Sequence, residues 1–134
     1  MALSRNKEHE LIAVCIYDAL THISLEDEFS VEDVMEGIFQ CSFSEISIFA
    51  KTIVVKALKN LDQTIAIFQA NMPKWKFDRL NKFEQAILLM SYTHRQVDES
   101  VNKKVIIDVA VRLSKKYLDD EDYKFVNAIL DKVL

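Results

Sequence analysis

Four consecutive acids at positions 119–122, three histidines and two cysteines are the side chains of this 134-residue chain best suited to chemistry. Asp119 and Asp120 have the composition of a general acid and a general base, but nothing near them in sequence would push their pKa values apart, as that chemistry requires. They serve better as acceptors for the unpaired N–H groups at a helix start, where negative charge also meets the positive end of the dipole. The same run lacks the ligand spacing and glycine of a calcium loop. His9, His22 and His94 form no His-x-x-x-His pair, and Cys15 and Cys41 form no Cys-x-x-Cys, so zinc has no signature here. A chain with one glycine, Gly37, is ill equipped to build a phosphate-cradling loop or a nucleophile elbow. These absences point to a protein that is not an enzyme and takes no cofactor or metal.

Cations offer a different chemistry, that of gripping phosphate. Arg5, Lys7 and His9 sit at what reads as the exposed start of a first helix, with Glu8 and Glu10 interleaved. Two such cations are either a small phosphate grip or ordinary solvated surface. Lys74, Trp75, Lys76, Phe77, Asp78, Arg79 and Lys82 alternate charge with aromatics, a composition that can stack bases and touch phosphates. The expectation there is packing, with Trp75 plugging a corner between helices while the cations stay wet. Arg112, Lys115 and Lys116 share one side of a later helix, a solvated face or a further phosphate contact. A net charge of −4 argues against indiscriminate coating of nucleic acid.

The elements that position these residues are helices. With a single Gly and a single Pro, the chain lacks the turn residues that hairpins and sandwiches need. Its apolar residues recur at helical spacing, and its length suits one domain spanning residues 1–134. Ser4 caps a first helix to about Leu20, and Ser30 a short one bearing Val31, Val34, Met35, Ile38 and Phe39. Gly37 inside that second stripe suggests a close helix approach. Ser42 with Glu45 has the form of a capping box for the longest helix, residues 43–71, whose stripe from Ile46 to Phe68 suits the central rod of a bundle. A fifth helix covers residues 81–95, with His94 at a partly buried edge and a polar connection over 97–102. Residues 105–134 read as a helical hairpin: Val105, Val109, Ala110, Leu113 and Tyr117 form one stripe, and Val126, Ile129, Leu130 and Val133 the other. No window approaches the roughly 20 apolar residues of a membrane span, and no secretory signal is visible. Two lone cysteines within apolar stretches fit a reducing compartment, so the expected location is the cytoplasm.

The hairpin is also similar to the C-terminal signature of the NusB family of transcription antitermination factors. The match rests on Ile107, Ala110, Leu113, Lys115, Tyr117 and then Phe125, Val126, Asn127, Ile129, Leu130, Asp131 and Lys132, with no gap. Asp108, Val109, Leu118 and Ala128 depart from the family pattern. The resemblance extends through Trp75, Arg79, Leu80, Phe83, Glu84, Ala86, Ile87 and Leu88, and more weakly to the first helix, where Ile16 and Tyr17 match a Leu-Tyr pair. There the family's arginine-rich box is reduced to Arg5 and Lys7.

This resemblance implies an all-α, NusB-like fold of about seven helices in two packed bundles. It also implies a bacterial antitermination factor that, with the ribosomal protein NusE, grips a boxA-type element in ribosomal RNA leader transcripts and keeps the RNA polymerase elongation complex moving. By position, Arg5, Lys7, Tyr17 and Glu121 would meet RNA, and Glu84 would lie near the NusE surface; a solvated Glu84 at a helix start is the plain alternative. Some relatives are homodimers. The depleted box keeps open an interaction module that has lost RNA binding. A similar fold in some ribosomal RNA cytosine methyltransferases keeps open an accessory RNA-binding domain.

Overall fold

Side-chain caps set most of the helix starts. Ser4 Oγ accepts from the Lys7 amide at 3.1 Å, Ser30 Oγ from Asp33 at 3.2 Å, and Ser47 Oγ from Ala50 at 3.0 Å. Asn81 Oδ1 takes the amides of Phe83 and Glu84, and Asn102 Oδ1 that of Lys104. The computed structural model describes residues 3–134, and these starts open helices α1 (Arg5–Ser24), α2 (Val31–Phe39), α3 (Ile48–Lys59), α5 (Lys82–Val97) and α6 (Lys103–Tyr117). Helices α4 (Leu61–Ala70) and α7 (Asp122–Val133) complete the set, with short 3-10 turns at Phe43–Glu45 and Phe77–Arg79 and no strand among the described residues. No described helix is long and apolar enough to cross a membrane.

The core gathers around α5. This helix packs against α1, α3, α4, α6 and α7, and its run from Glu84 to Ser91 is buried without interruption. Helix α1 also holds α2 and α3, while α7 lies on α4 and α6, giving two groups of helices that share α5. Their buried apolar side chains, from Ile12 and Ile16 through Ile53, Phe68, Leu88 and Leu130, form one continuous cluster.

Several sequence expectations need correction. The long helix of residues 43–71 does not exist as one rod. The Ser42–Glu45 contact, 2.8 Å from Oγ to Oε1, closes only a 3-10 turn, Ser47 caps α3, and the chain breaks at Asn60 (φ −105°, ψ 23°) before α4. The central position passes to α5, whose nearly all-round burial is that of a core helix. Trp75 does not plug a corner: it is 64% exposed, and Phe77, two residues on, fills the core at 1%. Val105 also faces solvent, with Ile106 buried in its place. A Cβ built on Gly37 meets nothing within 4 Å, so no helix approaches there. No side chain of the 119–122 run accepts a hydrogen bond from α7's first amides; Glu121, with φ 80°, merely turns the chain into that helix.

Candidate nucleic-acid interface

Helix α1 presents one flank to α6, and residues far apart in sequence meet along the seam. Arg112 Nη2 donates to Asn6 Oδ1 at 2.9 Å, and Lys116 Nζ donates to both carboxylate oxygens of Glu10 at 3.2 Å. The Tyr117 hydroxyl also donates to Glu10. That hydrogen bond, with Lys116 adding to it, holds the Glu10 carboxyl below the usual carboxylate range. At spacings of four and seven residues, Asn6, Glu10 and Tyr17 occupy one side of α1, so the seam runs on from the cations into an aromatic end. There the Phe83 ring sits between Tyr17 and Tyr117, with centroids 5.9 and 5.2 Å away and both contacts edge-to-face. Tyr17 is 40% exposed and Tyr117 46%, so each offers ring surface to solvent. Lys116 Nζ stands 5.1 Å from the Tyr117 centroid, and Lys115 Nζ 4.6 Å from that of Tyr123.

Of the residues expected to act, Tyr17 lies on this shelf, and the others are spread over the start of α1, α5 and the turn into α7. Arg5 lies at the α1 start, its guanidinium 4.1 Å above the Phe49 ring and its Nη1 3.1 Å from Glu8 Oε1. Lys7 is exposed and has no carboxylate within 4.0 Å among the described residues. Tyr17 lies about 18 Å along the helix from Arg5, twelve residues at about 1.5 Å each. Glu84 follows Phe83 on α5 with the Asp122 charge nearby, and Glu121 stands at the turn into α7. Glu121 is exposed and paired with Lys124 at 3.2 Å.

Glu84 is not the solvated helix-start carboxylate of the plain alternative. It is 5% exposed, and burial, with the nearby Asp122 charge adding, raises its pKa from 4.5 to about 7. Desolvation outweighs the favourable helix dipole at this first-turn position. His9, expected at the exposed α1 start, is 4% exposed. It lies against Phe49 and His94, with centroids at 5.6 and 5.5 Å, and neither of its ring nitrogens has a hydrogen-bond partner among the described residues. Burial, with His94 and Arg5 adding, lowers its pKa to about 4, so it sits there as a neutral ring. Cys15 is fully buried, and its thiol is pushed up to about 12 by desolvation and by Asp18, so it is a core side chain without thiolate chemistry.

Tyr117, Lys116 and Arg112 are the members of the shelf whose position the sequence did not reveal. Helical spacing puts Tyr117 in an apolar stripe and the two cations on a solvated face or at a further phosphate contact. Their contacts with α1 span 106 or 107 residues, and helical periodicity specifies a face without saying which helix will lie against it.

A family model described as the NusB family matches residues 8–134. The chain is 30% identical over 118 residues to the transcription antitermination protein NusB of Treponema denticola, covering 88% of this chain and 79% of that one. It is 28% identical over 134 residues to the protein of the same name from Macrococcus caseolyticus, covering 100% and 97%. Among solved structures, T. maritima NusB superposes with a TM-score of 0.78 at 21% identity over 99% of this chain and 92% of that one, a likeness of fold.

Proposed function

The chain belongs to the NusB family of transcription antitermination proteins, and from that premise we propose that it works by docking RNA and a protein partner on the α1–α6 shelf. The RNA is a boxA-type element of a ribosomal leader transcript, the partner is NusE, and the assembly keeps RNA polymerase elongating in the cytoplasm. The observation that carries this role is the juxtaposition of Lys7, Arg112 and Lys116 with two half-exposed tyrosines. Cations supply sequence-independent attraction to phosphate, and exposed rings supply stacking for unpaired bases. No bond is made or broken.

On this reading the roles divide among the residues of α1, α5, α6 and the turn into α7. Lys7 and Arg5 meet phosphates, Tyr17 and Tyr117 meet bases or the partner's edge, and Glu121 accepts from a base N–H at the hairpin turn. Glu84, beneath the surface beside Phe83, receives a cation of NusE. Arg5 is engaged by Glu8 and Lys116 by Glu10, so each must exchange a carboxylate for a phosphate. That competition makes the chain a weak RNA binder alone and favours a joint surface with NusE. It also supports the second possibility, a helical interaction module whose cations serve only its own fold.

Fluorescence anisotropy with labelled boxA RNA, with and without NusE at two salt concentrations, separates the two. Weak binding alone, clear enhancement by NusE and a loss of affinity on replacing Arg5 and Lys7 together with Ala are the expected results. Equal affinity for a scrambled RNA under every condition would favour the interaction module.

A further inference from the structure

Away from the shelf, the turn between α4 and α5 holds the chain's single tryptophan in the open. Its backbone is braced: Gln69 Nε2 donates to the carbonyls of Met72 at 3.2 Å and Trp75 at 2.7 Å, and Gln69 Oε1 accepts from the Phe77 amide at 2.9 Å. Phe77 anchors the turn from below against Phe68, with centroids 5.7 Å apart. The indole is therefore held out in water by a fixed frame, at the cost of a large apolar surface left unburied. Lys74, Lys76 and Arg79 are exposed within four residues of it in the chain, with exposed Asp78 among them, and Lys74, Trp75 and Lys132 of α7 border a cleft of about 290 Å³ that Phe125 and Ala128 help to line. None of these four cations has a carboxylate within 4.0 Å among the described residues, although the chain is acidic overall.

From this arrangement we propose that the Trp75 turn binds an unpaired stretch of RNA, one base stacked on the indole and the adjoining phosphates held by Lys74, Lys76 and Arg79. The placement of a cation on each side of the aromatic in sequence matches the alternation of phosphate and base along a single strand. An acidic peptide would satisfy the cations and leave the indole face without a planar partner. The proposal rests on the RNA-binding role assigned above and extends it: α7 joins the two places, with Glu121 and Lys132 about 16 Å apart along its axis. The strand leaving the shelf is held a second time, beyond the boxA element itself.

Because Trp75 is the only tryptophan, its emission reports on this turn alone. The experiment compares labelled boxA RNA with the same RNA lengthened by about ten unstructured nucleotides, following anisotropy and tryptophan emission together. The longer RNA is expected to bind roughly ten-fold tighter and to quench Trp75. Trp75→Ala abolishes that gain without changing affinity for the short RNA, Trp75→Phe keeps part of it, and far-UV circular dichroism stays that of the parent. Replacing Lys74, Lys76 and Arg79 with Ala flattens the dependence of log affinity on log salt by about 2. Binding of the longer RNA with unchanged emission and equal affinity in Trp75→Ala would overturn this second site and leave the shelf standing. Failure of the short RNA to bind, with quenching by the longer one intact, would overturn the shelf instead. Quenching by poly-glutamate at lower concentration than by RNA would reassign the turn to an acidic protein.

Discussion

Glu84 and His9 show how burial, more than any neighbouring charge, sets the behaviour of a side chain, and they pull stability in opposite directions with pH. The folded chain holds the Glu84 proton more tightly than the unfolded chain between pH 4.5 and 7, so stability falls as pH rises through that window. For His9, whose pKa drops from 6.5 to about 4, the unfolded chain takes up the proton first, and stability is lost as pH falls from 6.5 to 4. Urea unfolding of Glu84→Gln across this range isolates the two effects. The variant should match the parent near pH 4 and exceed it by up to about 3 kcal/mol at pH 8, having lost the Glu84 part of the pH dependence. Equal stability at pH 8 would mean that Glu84 ionises freely in the fold. If Glu84 pairs with a cation of NusE, complex formation should also strengthen as pH rises through 7. None of this was legible in the residues themselves: a Glu in the first turn of a helix reads as solvated, and its burial depends on what α7 brings against it.

Helix ends and breaks are the next scale, and here the chain's shortage of glycine has consequences. Glu26, Gln40 and Glu121 occupy the left-handed region that glycine would normally take, with φ of 57°, 58° and 80°. The one glycine stands instead inside α2, where a methyl group meets open space. Gly37→Ala should therefore raise stability by about 0.5–1 kcal/mol, and a loss in thermal unfolding would reveal a neighbour the fold does not show. Caps offer a sharper comparison. Ser47→Ala should cost about 1 kcal/mol because Ser47 starts a true helix and also donates to Glu8 at 2.5 Å, while Ser42→Ala should cost distinctly less. The capping-box pattern at Ser42 is legible in the sequence, but it does not open the long helix expected there. Its partner turned out to be a 3-10 turn because Ile46 takes an extended conformation (φ −73°, ψ 141°) before Ser47 starts α3.

At the scale of the molecule, stability and binding draw on different residues. Leu88→Ala or Ile87→Ala, at fully buried positions of α5, should cost about 2–5 kcal/mol and lower the midpoint of a single cooperative transition. Lys116→Ala on the seam should leave that midpoint in place and weaken RNA binding, with a shallower salt dependence. A fall in the midpoint without loss of RNA affinity would place Lys116 in the fold alone. Composition and periodicity by themselves determined that this chain is all-α and where the helices of the hairpin lie, while the residue identities of the hairpin, from Ile107 to Lys132, carried the resemblance to the NusB family. They did so because helical spacing and caps are local properties, written within a few residues of one another. The identity of the central helix, the exposure of Trp75, the burial of His9 and Glu84, and the meeting of α1 with α6 were decided by the tertiary structure. Each depends on which face of one helix lies against which face of another, and a contact spanning about a hundred residues leaves no trace in the spacing of either.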